Sequence, residues 1–296
     1  MGIRRAEGKG RTLRADAWCR LRKNRLALGA LAWIAMVIIV TVSADLWVPH
    51  YLGDPIDIDT TTAAERSLQS PSAAHPFGTD QMGRDIASRV IYGARVSLMV
   101  GVVAVAIMVA VGLVAGAIAA YYGGWWDAVI MRIADIFFAF PYILFAIMLL
   151  ALLGHGVQNV FVAIGIVGWP GMARVFRSSI LSVKEMEYVD AARAMGAPVR
   201  RILVRHIMPN AVAPIIVYAT MSIGGAILAE AALSFLGMGV QLPTPSWGNM
   251  LGEARAFMFS APWLMIYPGA AILTTVLAFV LLGDGLRDAL DVRLKE

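Results

Sequence analysis

Six stretches of the chain are apolar on every side, with neither the polar face of an amphipathic helix nor the alternation of a half-buried strand. They run Leu26–Ala44, Val96–Ala120, Ile133–Leu153, Val157–Phe176, Val212–Leu236 and Pro262–Leu282. Each approaches the roughly 20 helical residues that cross a hydrocarbon core about 30 Å thick. The pattern predicts an all-α polytopic membrane protein with about six transmembrane helices. The first block is too long and too far along the chain for a cleavable signal, and Ala44-Asp45-Leu46 is a poor cleavage site, so a retained helix is expected.

Composition agrees: only 15% of the 296 residues are charged, against about 25% in a soluble globular domain. The net charge of +5 does not point to nucleic acid, because the basic residues flank the apolar blocks instead of lining a soluble face with aromatics between them. They read as topology signals. Arg4, Arg5, Lys9, Arg11, Arg14, Arg20, Arg22, Lys23 and Arg25 precede the first block. Holding this tail in the cytoplasm also puts there Arg177, Lys184, Arg193, Arg200 and Arg201, and the end with Arg287, Arg293 and Lys295. The segment Asp45–Arg95, where Asp54, Asp57, Asp59, Glu65, Asp80 and Asp85 outweigh four arginines, falls outside. Trp47, Tyr51, Tyr121, Tyr122, Trp125, Trp126 and Trp263 fit as interfacial anchors. The expected organisation is a basic tail (1–25), a first helix with an external loop (26–95) that is flexible over Asp59–Pro76, a core of five helices with a cytoplasmic loop at 178–211 (96–284), and a short cytoplasmic tail (285–296).

Catalytic chemistry finds little support. Cys19 is the single cysteine, and His155 and His206 lack metal-ligand spacing. A phosphate-binding loop needs Gly-Lys followed by Ser or Thr, yet the only Gly-Lys, Gly8-Lys9, is followed by Gly10. No metal or cofactor site is expected on this chain. Among charges in the spans, Arg132 and Asp135 are spaced to pair on one helix face. Glu230 lies deep in an apolar helix without a basic neighbour, as a buried acid bonded to another helix or as part of a pathway. Gly112 and Gly116 form a GxxxG pair. Pro141, Pro170, Pro214 and Pro268 predict kinks. The segment Pro243–Phe259 reads either as an external gate or as an interfacial helix anchored by Trp247.

The cytoplasmic stretch from Glu187 to Asn210 reads as helix, turn, helix, with Gly196 and Pro198 as the stop and Gly196 in a left-handed conformation. Ala191, Ala192 and Met195 form a shallow apolar face flanked by Glu187, Asp190 and Arg193. Such a face suits a partner's groove or a lipid surface, and composition does not separate the two.

Here Asp190-Ala191-Ala192, then Gly196, then Met208-Pro209-Asn210 resembles the EAA loop of binding-protein-dependent ABC importer permeases. Asp190 stands where the family has Glu, His206 where it has Ile, and Met208 where it has Leu. Further matches are the run from His75 to Arg89, Gly93-Ala-Arg-Val-Ser97, Gly168-Trp-Pro, Glu230-Ala-Ala-Leu-Ser-Phe-Leu-Gly237, Pro245-Ser-Trp-Gly-Asn249 and Gly283 to Asp291. Together they resemble the second, C-type permease of the dipeptide, oligopeptide and nickel importer branch. The resemblance implies a type I importer (MetI-like) fold in a bacterial cytoplasmic membrane. It also implies a homologous second permease, two ATPase subunits or domains that carry ATP and Mg, and an extracytoplasmic solute-binding protein. In it Glu187, Asp190, Ala191, Ala192, Arg193, Gly196 and Pro209 belong to the ATPase-coupling loop. A self-contained secondary transporter, with intramembrane acids binding a coupling ion, is the alternative from another class.

Overall fold

The computed structural model describes residues 18–56, 63–202, 205 and 207–290. The basic tail before residue 18, the acids Asp57 and Asp59, His206 and the last six residues lie outside them. Long helices dominate: α1 Arg25–Tyr51, α2 Ile86–Tyr122, α3 Gly124–Ala139, α4 Tyr142–Leu153, α5 Val157–Lys184, α6 Glu187–Ala194, α7 Met208–Phe235, α8 Trp247–Ala254 and α9 Trp263–Leu290. Among the described residues five are long and apolar enough to cross a membrane alone, and α3 with α4 form a bent pair that together is as long and apolar as a span.

Several boundaries differ from those the hydrophobic pattern predicts, because polar residues at helix ends keep helical hydrogen bonding past the lipid-like stretch. Helix α1 continues to Tyr51, after Asn24 caps its start by accepting from the Ala27 N–H at 3.1 Å. Helix α2 begins at Ile86, not Val96, where Asp85 accepts from the Ser88 N–H at 2.9 Å. The boundary drawn at 95/96 therefore falls inside a 37-residue helix. Helices α5, α7 and α9 likewise overrun the limits at 178, 211 and 284, and the segment between α5 and α7 shrinks to 185–207.

The expected continuous span Ile133–Leu153 is broken. Phe140 and Pro141 are extended, as a residue before proline prefers, and α3 and α4 meet at a bend of 95°. Nor is Asp59–Pro76 a loose loop over its described part. Ala63–Arg66 is a helical turn, and the Leu68 and Gln69 N–H groups donate to Asp80 O at 3.0 Å and Thr79 Oγ1 at 2.9 Å.

Helices α2 and α5 form the axis of the bundle and run parallel. Gly165 sits on Ala104 and Ile107, and Gly112 and Gly116 sit on Met172 and Ala173. The GxxxG pair is thus a helix contact within this chain: a Cβ at Gly116 would lie 2.6 Å from Ala173 O. Helix α7 runs antiparallel to α2, with Gly101 against Ile223 and Ile227, while α9 packs on α7 and on α1, where Gly285 meets Ala27. These pairings put Arg25, Tyr122, Lys184, Met208 and Leu290 at one end of the bundle. Tyr51, Ile86, Phe235 and Trp263 lie at the other. The segment with α6 therefore shares the end of the first helix's start, and α8 lies opposite.

Candidate functional site

At the Arg25 end, α6 is a helix of eight residues between the spans α5 and α7. Glu187 and Asp190 occupy its first turn and Arg193 its last, matching negative and positive charge to the helix dipole. Its end is a Schellman motif: Gly196 at φ +75 donates to Arg193 O at 2.9 Å, and Ala197 donates to Ala192 O at 3.1 Å. The glycine is required by conformation alone, since a Cβ there would meet nothing within 4 Å. The following helix is a single turn, Val199–Ile202. Pro209 is the second residue of α7, where its missing N–H costs no intrahelical bond.

The structure splits the apolar face expected of Ala191, Ala192 and Met195. Val189 and Ala192 are buried against Ile180 and Val183 of α5, Ala211 of α7, and Ile202 and Ile207 of the segment that joins α6 to α7. The other side of α6 exposes Tyr188, Ala191 and Met195, the last 81% accessible, beside Glu187 and Asp190. Helical spacing i, i+3, i+7 makes these three one strip. Asp190 bonds Arg193 at 2.9 Å on the same helix. The back of α6 is thereby fixed to α5 and α7 while its front is a small, shallow, charged-edged surface.

Glu230 is fully buried in α7 and joins separate parts of the chain. Its carboxyl accepts from Ser97 Oγ of α2 at 2.9 Å and from Ser234 Oγ at 2.7 Å. Those hydroxyls accept in turn from the Trp247 N–H at 3.3 Å and the Val240 N–H at 3.0 Å. One carboxyl thus ties α2 and α7 to the segment that leads into α8. Trp247 is not an interfacial anchor: its ring is buried between α2, α7 and α9, and its Nε1 donates to Val90 O at 2.9 Å. The expected Arg132–Asp135 pair does not form, because Asp135 turns to Arg174 of α5 at 2.5 Å, and Arg177 of α5 pairs with Asp127. Both bridges fasten α3 to α5.

At the opposite end lies an ion network that inspection of the sequence did not assemble. Asp80 accepts from Arg84 Nε at 2.7 Å and Arg89 at 2.5 Å, and its other oxygen accepts from the Met82 and Arg84 N–H groups at 2.8 and 2.9 Å. The same two arginines reach Glu253 of α8 at 3.2 and 2.6 Å. Asp80, Arg84 and Arg89 are buried. Asp85 adds a bond to His75 at 2.9 Å. The turn before α2 is in this way clamped onto α8. Asp80 and Arg84 are four residues apart, a visible signal, but nothing in the spacing points to Glu253.

Comparison with known proteins agrees with this architecture. A family model described as "Binding-protein-dependent transport system inner membrane component" matches residues 112–296, and one described as "N-terminal TM domain of oligopeptide transport permease C" matches residues 12–71. The chain is 47% identical to the dipeptide transport system permease protein DppC of Alkalihalophilus pseudofirmus over 95% of this chain and 90% of that protein. It is 46% identical, with the same coverage, to the glutathione transport system permease protein GsiD of Escherichia coli O6:K15:H31. Among solved structures, an inward-facing methionine ABC transporter, MetNI, superposes with a TM-score of 0.59 at 19% identity, covering 70% of this chain and 98% of that one. An amino acid ABC transporter solved with histidines gives 0.55 at 16%, covering 68% and 94%. The MetI-type arrangement of crossings is shared with both. The chain belongs to the family of binding-protein-dependent transport system inner membrane components, as a non-catalytic C-type permease of the peptide and glutathione branch of ABC importers.

Proposed function

We propose that this chain supplies half of the translocation pathway for short peptides handed over by an extracytoplasmic binding protein, with ATP and Mg held by separate ATPase subunits that dock on α6. The relatives named for dipeptide and for glutathione, itself a tripeptide, support the substrate class. A homologous second permease supplies the other half. The Lys/Arg asymmetry supports an α6 that faces the cytoplasm of a bacterium, with both termini on that side.

The observation that carries the coupling role is the two-sided nature of α6. A push on the Tyr188–Ala191–Met195 strip is delivered through Val189 and Ala192 into α5 and α7, since a close-packed interface transmits displacement instead of absorbing it. Glu230 and its serine bonds then link α7 to α2 and to the segment before α8 at the far end. Movement at one end is in this way joined to the other, which is what alternating access requires.

Gly196→Val tests the reading. The left-handed conformation costs a β-branched residue roughly 1 kcal/mol or more, and no neighbour is displaced, so only the angle of α6 should change. The variant should insert and pair with its sister permease, yet lose ATPase co-purification or peptide-stimulated ATP hydrolysis in reconstituted vesicles. Gly196→Asn, which tolerates this conformation, should retain more of both. Normal ATPase association and uptake in Gly196→Val would remove α6 from the coupling role. Uptake by the chain alone would favour a secondary transporter.

A further inference from the structure

Arg174 and Asp135 form an ion pair within the spans that is half open, their side chains 47% and 48% exposed. Its depth follows from the helix contacts. Ala173 meets Gly116, six residues before α2 ends at Tyr122, which places the pair about 9 Å inward of the aromatic turn at 121–126. A long arginine alone reaches an interface from that depth, but Arg174 is drawn to Asp135, whose side chain is too short to do so. Ionised groups within spans face a protein partner or a water-filled cavity, because lipid would strand them. The face shared by α3 and α5 is therefore not a lipid surface.

The two bridges between these helices differ in what they leave unused. Arg177 gives Nε and Nη2 to the two oxygens of Asp127, both at 2.5 Å, so that edge of its guanidinium is filled. Arg174 gives Asp135 a single bond, from Nη2. Its Nε and Nη1 make no hydrogen bond among the described residues, and the centre of the Phe138 ring, 4.4 Å from the guanidinium carbon, holds the group in place. Arg132, one turn before Asp135, likewise bonds nothing among the described residues, so three arginines face two aspartates and the surplus is positive. An open groove of about 570 Å³ runs past Arg174, Arg177 and Asp127, with Met131, Val175 and Ser178 in its walls. Small-molecule clefts have volumes of about 300–1,000 Å³.

We propose that Arg174, steadied by Asp135 and Phe138, receives the carboxylate of the transported peptide as it passes along this groove. This role rests on the peptide-pathway reading above, to which it adds one contact. A carboxylate accepts two parallel N–H bonds from a guanidinium edge, and Arg174 presents donors that Asp135 leaves unused. Asp135 competes for the same cation, so the peptide is held weakly enough to leave.

The test uses the assembled importer in vesicles, with sister permease, ATPases and binding protein, and dialanine and glutathione as transported probes. Arg174→Gln combined with Asp135→Asn removes both charges together, so no carboxylate is stranded and ATPase co-purification should persist. Uptake at saturating binding protein should fall about tenfold or more, the loss expected for a charge-assisted bond, and Arg174→Lys should retain an intermediate rate. A second arm leaves both residues in place. With Cys19→Ser and Ser178→Cys, a thiosulfonate reagent ending in sulfonate should react several-fold faster than one of equal size ending in trimethylammonium, and dialanine should slow it. Wild-type uptake by the double variant, or equal reaction of the two reagents, would leave the pair a structural latch between α3 and α5. A cysteine at 178 closed to both reagents would give this face to lipid or to the sister permease. Failure of the wild-type complex to take up either probe would overturn the peptide reading itself, and this role with it.

Discussion

Replacing Arg89 with methionine is the most direct probe of how the outer turn is held to α8. Its guanidinium is 1% exposed and bridges Asp80 at 2.5 Å to Glu253 at 2.6 Å. Methionine fills similar volume but leaves two carboxylates facing each other with one cation, Arg84, between them. Breaking a buried pair from one side costs about 3–5 kcal/mol, because the remaining charge is uncompensated. Arg84 still donates to both acids, at 2.7 and 3.2 Å, which favours the lower figure. A loss of about 3 kcal/mol corresponds to a fall of roughly 6–12 °C in melting temperature at 2–4 °C per kcal/mol. Thermal unfolding of the purified chain in detergent measures it. Glu253→Gln should then cost less in the Arg89→Met background than in the wild type, because the stranded charge is gone. A melting temperature within 2 °C of wild type for Arg89→Met, or strictly additive costs in the double variant, would refute the clamp.

How much of this was legible beforehand divides along physical lines. Apolar blocks located the five long spans and the bent pair α3–α4, because lipid demands continuous apolar length. They misplaced the ends, since caps such as Asp85 and polar turns such as Ile86–Arg95 carry a helix beyond the hydrophobic stretch. Pro141 announced a kink, but the 95° bend depends on Phe140 also leaving the helix. At α6, Gly196, Ala191 and Met195 were read from local chemistry while Tyr188 was not, and the Schellman turn follows from that chemistry. Which side of α6 faces inward did not follow, because Ala192 and Ala191 are identical side chains distinguished only by the neighbours α5 and α7 bring. Asp135 likewise had a plausible local partner in Arg132 and took a distant one in Arg174. The clamp joins residues 164 positions apart, and such pairing is decided by tertiary packing that spacing alone does not encode.

Three further outcomes follow from the same contacts. Gly116→Ala places a methyl group 2.6 Å from Ala173 O, so α2 and α5 must separate, with a loss of about 1–3 kcal/mol in detergent unfolding; Gly225→Ala, with nothing within 4 Å, should be nearly silent. With Cys19 replaced by Ser, a cysteine at Glu65 should react with an impermeant maleimide from outside intact cells, and reaction only after permeabilisation would invert the topology. For Glu230→Gln the argument rests on proton count. Both carboxyl oxygens accept from serine hydroxyls that themselves accept backbone N–H groups from Trp247 and Val240. An amide offers one oxygen and one NH₂, so one serine would face a donor with its own proton left without an acceptor, at about 1–3 kcal/mol for the buried group. The strain falls on the segment joining α7 to α8, not on α6. Glu230→Gln should therefore keep ATPase binding while peptide uptake and the protection of Val240–Trp247 amides from hydrogen exchange decline together; wild-type uptake with wild-type protection would show that this carboxyl does not tie the far end to the core.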